Sequence, residues 1–192
     1  QDYYGDAISE LKRFIRNYPA NDNLDYAYFL LGICYYELIV DEKKDLSSLL
    51  NSKKYFDIVI KKYPNTDFAL DAKFKLDLIA NILASKEIYI GKYYMSKKKW
   101  IPAINRFRNV VNNYEKTEYV EEAIHRLVEV NYMIGLESEA KKYAALLGYN
   151  YQSSEWYKES YRVFNKDYEN PKDKIKKNKQ NVIIRNFKKL FK

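Results

Sequence analysis

A spacing of roughly 34 residues runs through this chain and constrains its fold more than any other feature. The clearest copy has Gly91 and Tyr94, then Ala103 and Phe107. Such a unit is a pair of antiparallel helices. Small residues are needed where helix A crosses helix B, large apolar residues fill the seam, and a proline often stops B. Trp100 and Pro102 fall at the start of this B helix, where proline is tolerated because a first-turn N–H has no intrahelical partner to lose. The preceding copy reads Leu31-Gly32 and Tyr35, then Ser52 at the small-residue position, Phe56, Val59 and Pro64, with about eight extra residues between its helices around 41–50. The first copy has only Ala7, Leu11, Phe14 and Pro19, a B helix without its A. A half-repeat leaves an apolar face unpaired, so the natural chain is expected to extend upstream. In the last copy Ala123, Leu127, Val128 and Tyr132 mark helix A, Gly135-Leu136 a tight turn, and Ala140, Ala144 and Leu147 helix B. Gly148 is expected just past that helix's end. Thr117, followed by Glu118, Glu121 and Glu122, reads as a helix start with acid in its first turn.

One segment departs from the period. From Thr66 to about Ser96 the only Gly or Pro is Gly91, and apolar residues recur as Phe68, Ala72, Leu76, Ile79, Leu83, Tyr89, Ile90 and Tyr93. This predicts a single helix about 45 Å long at 1.5 Å per residue. The expected fold is an all-α tetratricopeptide-repeat (TPR) solenoid of antiparallel helix pairs with one long central helix. Seven helices are expected up to about residue 147, and a break near Ala84 would count against the reading. A short helix from about Ser154 to Phe164, bearing Trp156, Tyr157 and Tyr161, is expected to cap the last repeat. The domain reading is a helical repeat domain over 1–164, starting mid-repeat, and a basic tail over 165–192.

The net charge of +8 is concentrated in that tail, where ten Lys/Arg stand against three Asp/Glu, so the repeat body carries about +1. The lone Cys34 sits in an apolar run and excludes an internal disulfide; it reads as a buried small hydrophobe. His125, the single histidine, reads as a satisfied or solvent-facing helix histidine rather than a catalytic one. The five glycines are isolated, so no phosphate-cradling loop exists, and no His/Cys cluster has zinc-ligand spacing. Glu121 and Glu122 point in different directions on a helix and make no acid/base dyad. The expectation is a protein-binding solenoid, not an enzyme, with no cofactor and no metal.

Some residues carry a more specific resemblance. Asp71-Ala72-Lys73 through Leu83-Ala84, Lys86-Glu87 and Ile90-Gly91-Lys92-Tyr93-Tyr94 resemble the long central helix of the BamD family, tetratricopeptide lipoproteins of the outer-membrane β-barrel assembly machine. Ala103-Ile104-Asn105-Arg106-Phe107 with Val110-Val111 and Tyr114 resembles that family's next helix. Tyr63-Pro64-Asn65-Thr66, Glu122-Ala123 with Arg126-Leu127, and Asn150-Tyr151 with Ser154-Glu155-Trp156-Tyr157 also fit. The likeness covers roughly residues 5 to 164. Glu115 and Gln152 replace prolines common in the family, and the Lys-rich tail has no matching counterpart. The resemblance implies a periplasmic location at the outer membrane, held by an N-terminal lipid on a Cys that this chain does not contain. It implies docking on the POTRA domains of a BamA-like barrel protein, contact with other assembly-machine subunits, and reception of unfolded outer-membrane proteins. By position, Arg106 matches a family arginine that contacts BamA, and Tyr26, Tyr28, Tyr35 and Tyr36 stand for the edge of a substrate groove. The alternative is another envelope TPR adaptor, for example in cell-wall synthesis.

The tail ends in VIIRNFKKLFK. On a helix, Ile183, Phe187 and Leu190 fall on one face with Lys188 and Lys189 beside it, a basic amphipathic pattern suited to a membrane or a partner groove. Residues 166–181 are expected to be a linker. Nucleic acid is the weaker reading, because the tail's apolar face needs a surface to cover it and the tail offers no folded stacking platform.

Overall fold

A computed structural model describes residues 2–39 and 46–165. Among these the chain forms α1 (Asp2–Asn17), α2 (Leu24–Glu37), α3 (Ser47–Lys62), α4 (Asp67–Ser96), α5 (Trp100–Asn113), α6 (Val120–Met133), α7 (Glu137–Asn150) and α8 (Glu155–Phe164), with no strand. The all-α repeat architecture and the seven helices before residue 151 are as expected. The expectations placed on the tail, including Ile183, Phe187, Lys188, Lys189 and Leu190, lie outside the described residues.

Helix α4 starts where its sequence signals it. Thr66 is extended (ψ 155°), and its side chain accepts a hydrogen bond from the Ala69 N–H at 3.3 Å, offsetting one of the donors a helix start leaves unpaired. Thirty residues then run without interruption. The reason lies in what they bury. Ala69, Ala72, Ile79 and Leu83 join Leu49, Phe56 and Val59 of α3 in one core cluster. Ala84 and Ile88 join Ala103, Ile104, Phe107 and Val110 of α5, and Ala123, Leu127 and Val130 of α6, in the next. The two cores meet between Leu83 and Ala84, and α4 is the shared rod that fixes one against the other.

Each repeat closes through a glycine and a phenylalanine. A Cβ on Gly91 would lie 2.4 Å from the Phe107 ring, and one on Gly32 would lie 2.5 Å from the Phe56 ring. Sixteen residues separate the first pair and twenty-four the second. Of that difference of eight, six residues lie in the connection, which has nine between α2 and α3 against three between α4 and α5. The other two lie in the earlier start of α3, which takes residues 47–50 out of the expected loop; the insertion leaves the crossing intact. The aromatic ring is what stands nearest the glycine at each crossing, with the expected small residue four positions before it. Ser52 still contributes: its buried hydroxyl donates to the Gly32 carbonyl at 2.8 Å. Ala103 holds the matching place in the next repeat and is fully buried. Ala103→Leu is expected to overpack this crossing and cost about 1–3 kcal/mol, read as a lowered thermal midpoint; an unmoved midpoint would mean the register is wrong.

Two expected helix signals serve other purposes. Thr117 does not cap α6. Its hydroxyl donates to the Tyr114 carbonyl at 2.7 Å and closes the preceding turn, so α6 starts three residues later with Glu121 and Glu122 in its first turn. Gly148 does not end α7, which continues to Asn150. Instead it makes room for Tyr157, whose ring would stand 2.8 Å from an added Cβ. Gly135 is the expected turn residue, with φ +82°, a value that favours glycine.

Candidate protein-binding surfaces

The A helices touch one another, α2 on α4 and α4 on α6, whereas α1, α3, α5 and α7 each touch only helices other than one another. A row of pairs that is close on its A side and splayed on its B side curves, with the A helices lining the inner wall. On that wall Lys92 reaches Glu122 at 3.0 Å, and Glu122 also takes Arg126. Tyr89 and Tyr93 stand exposed beside them, one turn apart on α4.

Helix α8 does not extend the row. It packs mainly on α6, crossing the inner wall rather than following α7. Ser154 caps it by accepting from the Trp156 N–H at 3.1 Å. Trp156 and Tyr157 cover Val120, Ile124 and Leu147, as expected, while Tyr161 leans on Tyr157 and stays half-exposed. His125 is buried beneath it. The ring shares a 2.9 Å hydrogen bond between Nδ1 and the Ser160 hydroxyl, sets Nε2 3.6 Å from Glu129, and lies 5.2 Å from the Trp156 ring. Burial alone would raise the Glu129 carboxyl, but hydrogen bonds from His125 and Arg126 and their charges outweigh it and hold it below the ordinary glutamate value. A serine, a histidine and a glutamate thus stand side by side, the first two hydrogen-bonded and the glutamate 3.6 Å from the ring. Ser160 is fully buried, so no substrate reaches its oxygen, and this cluster fastens α8 to α6. Cys34 is buried as expected, with its thiol pushed up by burial.

Arg106, on α5, reaches across to α4. Its Nη1 donates to both carboxylate oxygens of Glu87 on α4, at 3.2 and 3.3 Å. The side chain remains 41% exposed, at a shallow cleft lined by Tyr94, Pro102, Asn105 and Asn109. The other two guanidinium nitrogens have no carboxylate partner among the described residues.

The four tyrosines of α2 do not share one edge. Tyr26 and Tyr36 face α4, with Tyr26 5.0 Å from the Phe68 ring and Lys75 over Tyr36 at 4.7 Å. Tyr28 and Tyr35 face α3, where they stack on Tyr55, and Tyr28 also meets Tyr63 at a tilt. Tyr55 and Tyr63 are the site residues that sequence spacing missed, since they lie on the partner helix and at its end. At the N-terminal end a groove between α1 and α2 is lined by Leu11, Phe14, Tyr18, Leu30 and Cys34. No helix among the described residues is long and apolar enough to cross a membrane.

Comparison with known proteins settles the family. A family model described as YfiO, outer membrane lipoprotein, matches residues 1–146. The chain belongs to the YfiO family. It is 47% identical over 167 residues to the outer membrane protein assembly factor BamD of Rickettsia prowazekii, covering 87% of this chain and 66% of that protein. It is 40% identical over 162 residues to the BamD of Caulobacter vibrioides, covering 84% and 53%. The chain therefore spans about half to two thirds of the length of these YfiO-family relatives. The match takes in α1 to α6 and most of α7, so the long helix and both glycine–phenylalanine crossings fall inside it.

Proposed function

We propose that this chain is the repeat region of a non-catalytic adaptor in outer-membrane β-barrel assembly, working at the periplasmic face of the outer membrane. The observation that carries the reading is the 47% identity to an outer membrane protein assembly factor over most of the chain. The fold is compatible with it: a curved wall of helices offers surface rather than an enclosed site, and Ser160 of the buried polar cluster is out of substrate reach. The partner is a BamA-like POTRA domain, joined by other subunits of the machine and by unfolded barrel proteins, and the membrane is reached through a lipid outside this chain. Residues 1–164 act as the binding domain, with 165–192 as a separate basic tail.

Arg106 is the proposed partner contact. Glu87 holds the guanidinium in place through one nitrogen, and a planar guanidinium can take a second carboxylate through parallel hydrogen bonds. Tyr26 and, further along α2, Tyr36 are proposed to meet substrate. The test is binding of the chain to the isolated POTRA domains of the barrel protein from the same organism. Arg106→Glu and Arg106→Met are each expected to weaken affinity roughly tenfold or more with a nearly unchanged melt, because a half-exposed ion pair contributes little to stability. Unchanged affinity in both variants removes Arg106, and no binding by the unaltered chain removes the reading.

A further inference from the structure

A strip of alternating rings and ammonium groups crosses the outer side of the first repeats. The Tyr35 and Tyr55 rings are stacked at 5.6 Å and 11°, Tyr55 and Tyr28 at 6.4 Å, and Tyr28 and Tyr63 meet at 6.3 Å. Lys12 lies 5.4 Å from the Tyr35 ring centre, Lys54 5.6 Å from that of Tyr55, and Lys62 5.7 Å from that of Tyr28. The strip has room above it because α1 and α3 do not touch. Tyr28 and Tyr35 form its floor, Lys12 stands on the α1 side, and Tyr55, Lys54 and Lys62 stand on α3. None of the three lysines has a carboxylate partner among the described residues; Lys12 instead donates to the Tyr35 oxygen at 2.8 Å. At the Tyr63 end, burial, Tyr28 and then Asp25 push that phenol up.

We propose that this strip binds an acidic, extended segment of polypeptide. The rings lie against one another and under lysines, which leaves little free face for a nucleic-acid base to stack on. What remains for a ligand is a row of cations and phenol hydroxyls. Lys12 occupies a lone pair of the Tyr35 oxygen, so that hydroxyl keeps its own proton to donate. The hydroxyls of Tyr28, Tyr55 and Tyr63 make no side-chain hydrogen bond among the described residues, and no buried polar side-chain atom is left unpaired, so these oxygens reach solvent. Donors without acceptors, spread over three helices, match a series of carboxylates better than a single headgroup. The cation–ring contacts also hold the long lysine side chains in place, which lowers the entropy lost when a carboxylate docks. The inference deepens the substrate-receiving part of the proposed function and rests on that reading only for the natural ligand.

The experiment titrates the full chain into a fluorescein-labelled oligoglutamate peptide and reads anisotropy at low and at physiological salt. The Lys12→Ala/Lys62→Ala variant is expected to bind about tenfold more weakly or worse, the scale of losing hydrogen bonds to charged groups. Tyr35→Phe/Tyr55→Phe, which keeps both rings and the packing, is expected to lose a few-fold through its hydroxyls alone. Lys97→Ala/Lys98→Ala, with the same charge change at the α4–α5 turn, is expected to bind like the unaltered chain. Equal losses from the two lysine pairs, or none from the first, would overturn the proposal, as would tighter binding of oligothymidylate that depends on Lys12 and Lys62. Oligoglutamate binding together with failed POTRA binding would keep the strip and remove the assembly-machine reading.

Discussion

Phe107→Ala is expected to destabilise the fold by about 3–5 kcal/mol, the range for removing a fully buried aromatic ring. The ring lies over Gly91 and belongs to the cluster that joins α4, α5 and α6. Its loss takes away the apolar area and also opens a cavity that neighbours on three helices cannot collapse into without moving the whole of α4. Because α4 also carries the preceding core, the change is expected to lower a single cooperative transition rather than split it. Chemical denaturation followed by helical circular dichroism checks this. A loss below about 1 kcal/mol would mean that the ring is not the keystone of the crossing.

Gly91→Val is expected to cost about 2–3 kcal/mol, near the top of the range for overpacking a core. On an open helix surface the same change would be stabilising, because glycine is the poorer helix former. Here a first side-chain carbon would stand 2.4 Å from a ring with no exposed surface, and the ring has nowhere to retreat. The diagnostic comparison is Gly91→Ala in two backgrounds. With Phe107 present it is expected to destabilise; with Phe107→Leu it is expected to cost less or to stabilise, since the atom it meets is gone. Coupling of this kind is confined to residues in contact, so additive behaviour would show that the two do not meet. Gly32 and Phe56 are expected to behave alike.

At these crossings sequence reasoning reached the register but not the contact, since the ring of Phe107, and not a small residue, stands nearest Gly91. Gly91, Ala103 and Phe107 fall on one period, and the steric demand of a close helix crossing makes the pattern legible without coordinates. The unbroken α4 was legible for a similar reason: Thr66 starts it, and nothing inside can stop it. Cys34 was readable as buried from the apolar residues around it, whereas for His125 the sequence left a satisfied and a solvent-facing placement open, and the packing of α8 on α6 buries it. Gly148 and Thr117 misled, because a glycine and a threonine near a helix end have more than one use. Tyr157 and the Tyr114 carbonyl, which decide between those uses, lie elsewhere in the chain or off the helix.

The sequence by itself determined the repeat, the long helix and the absence of a catalytic motif, because each rests on local geometry repeated along one chain. The tertiary structure decided which way the surface residues face. Helix α2 is apolar or aromatic around most of its circumference, so periodicity assigns its tyrosines no side. Only the placement of α1, α3 and α4 around it sends Tyr28 and Tyr35 outward to Tyr55 and Tyr63, and Tyr26 and Tyr36 toward Phe68 and Lys75. Arg106 meeting Glu87 nineteen residues away, and His125 meeting Ser160 thirty-five away, follow from helices crossing at particular angles. Those angles are set by the summed packing of whole seams, such as Phe107 on Gly91 and Tyr157 on Gly148, and no single spacing in the sequence encodes them.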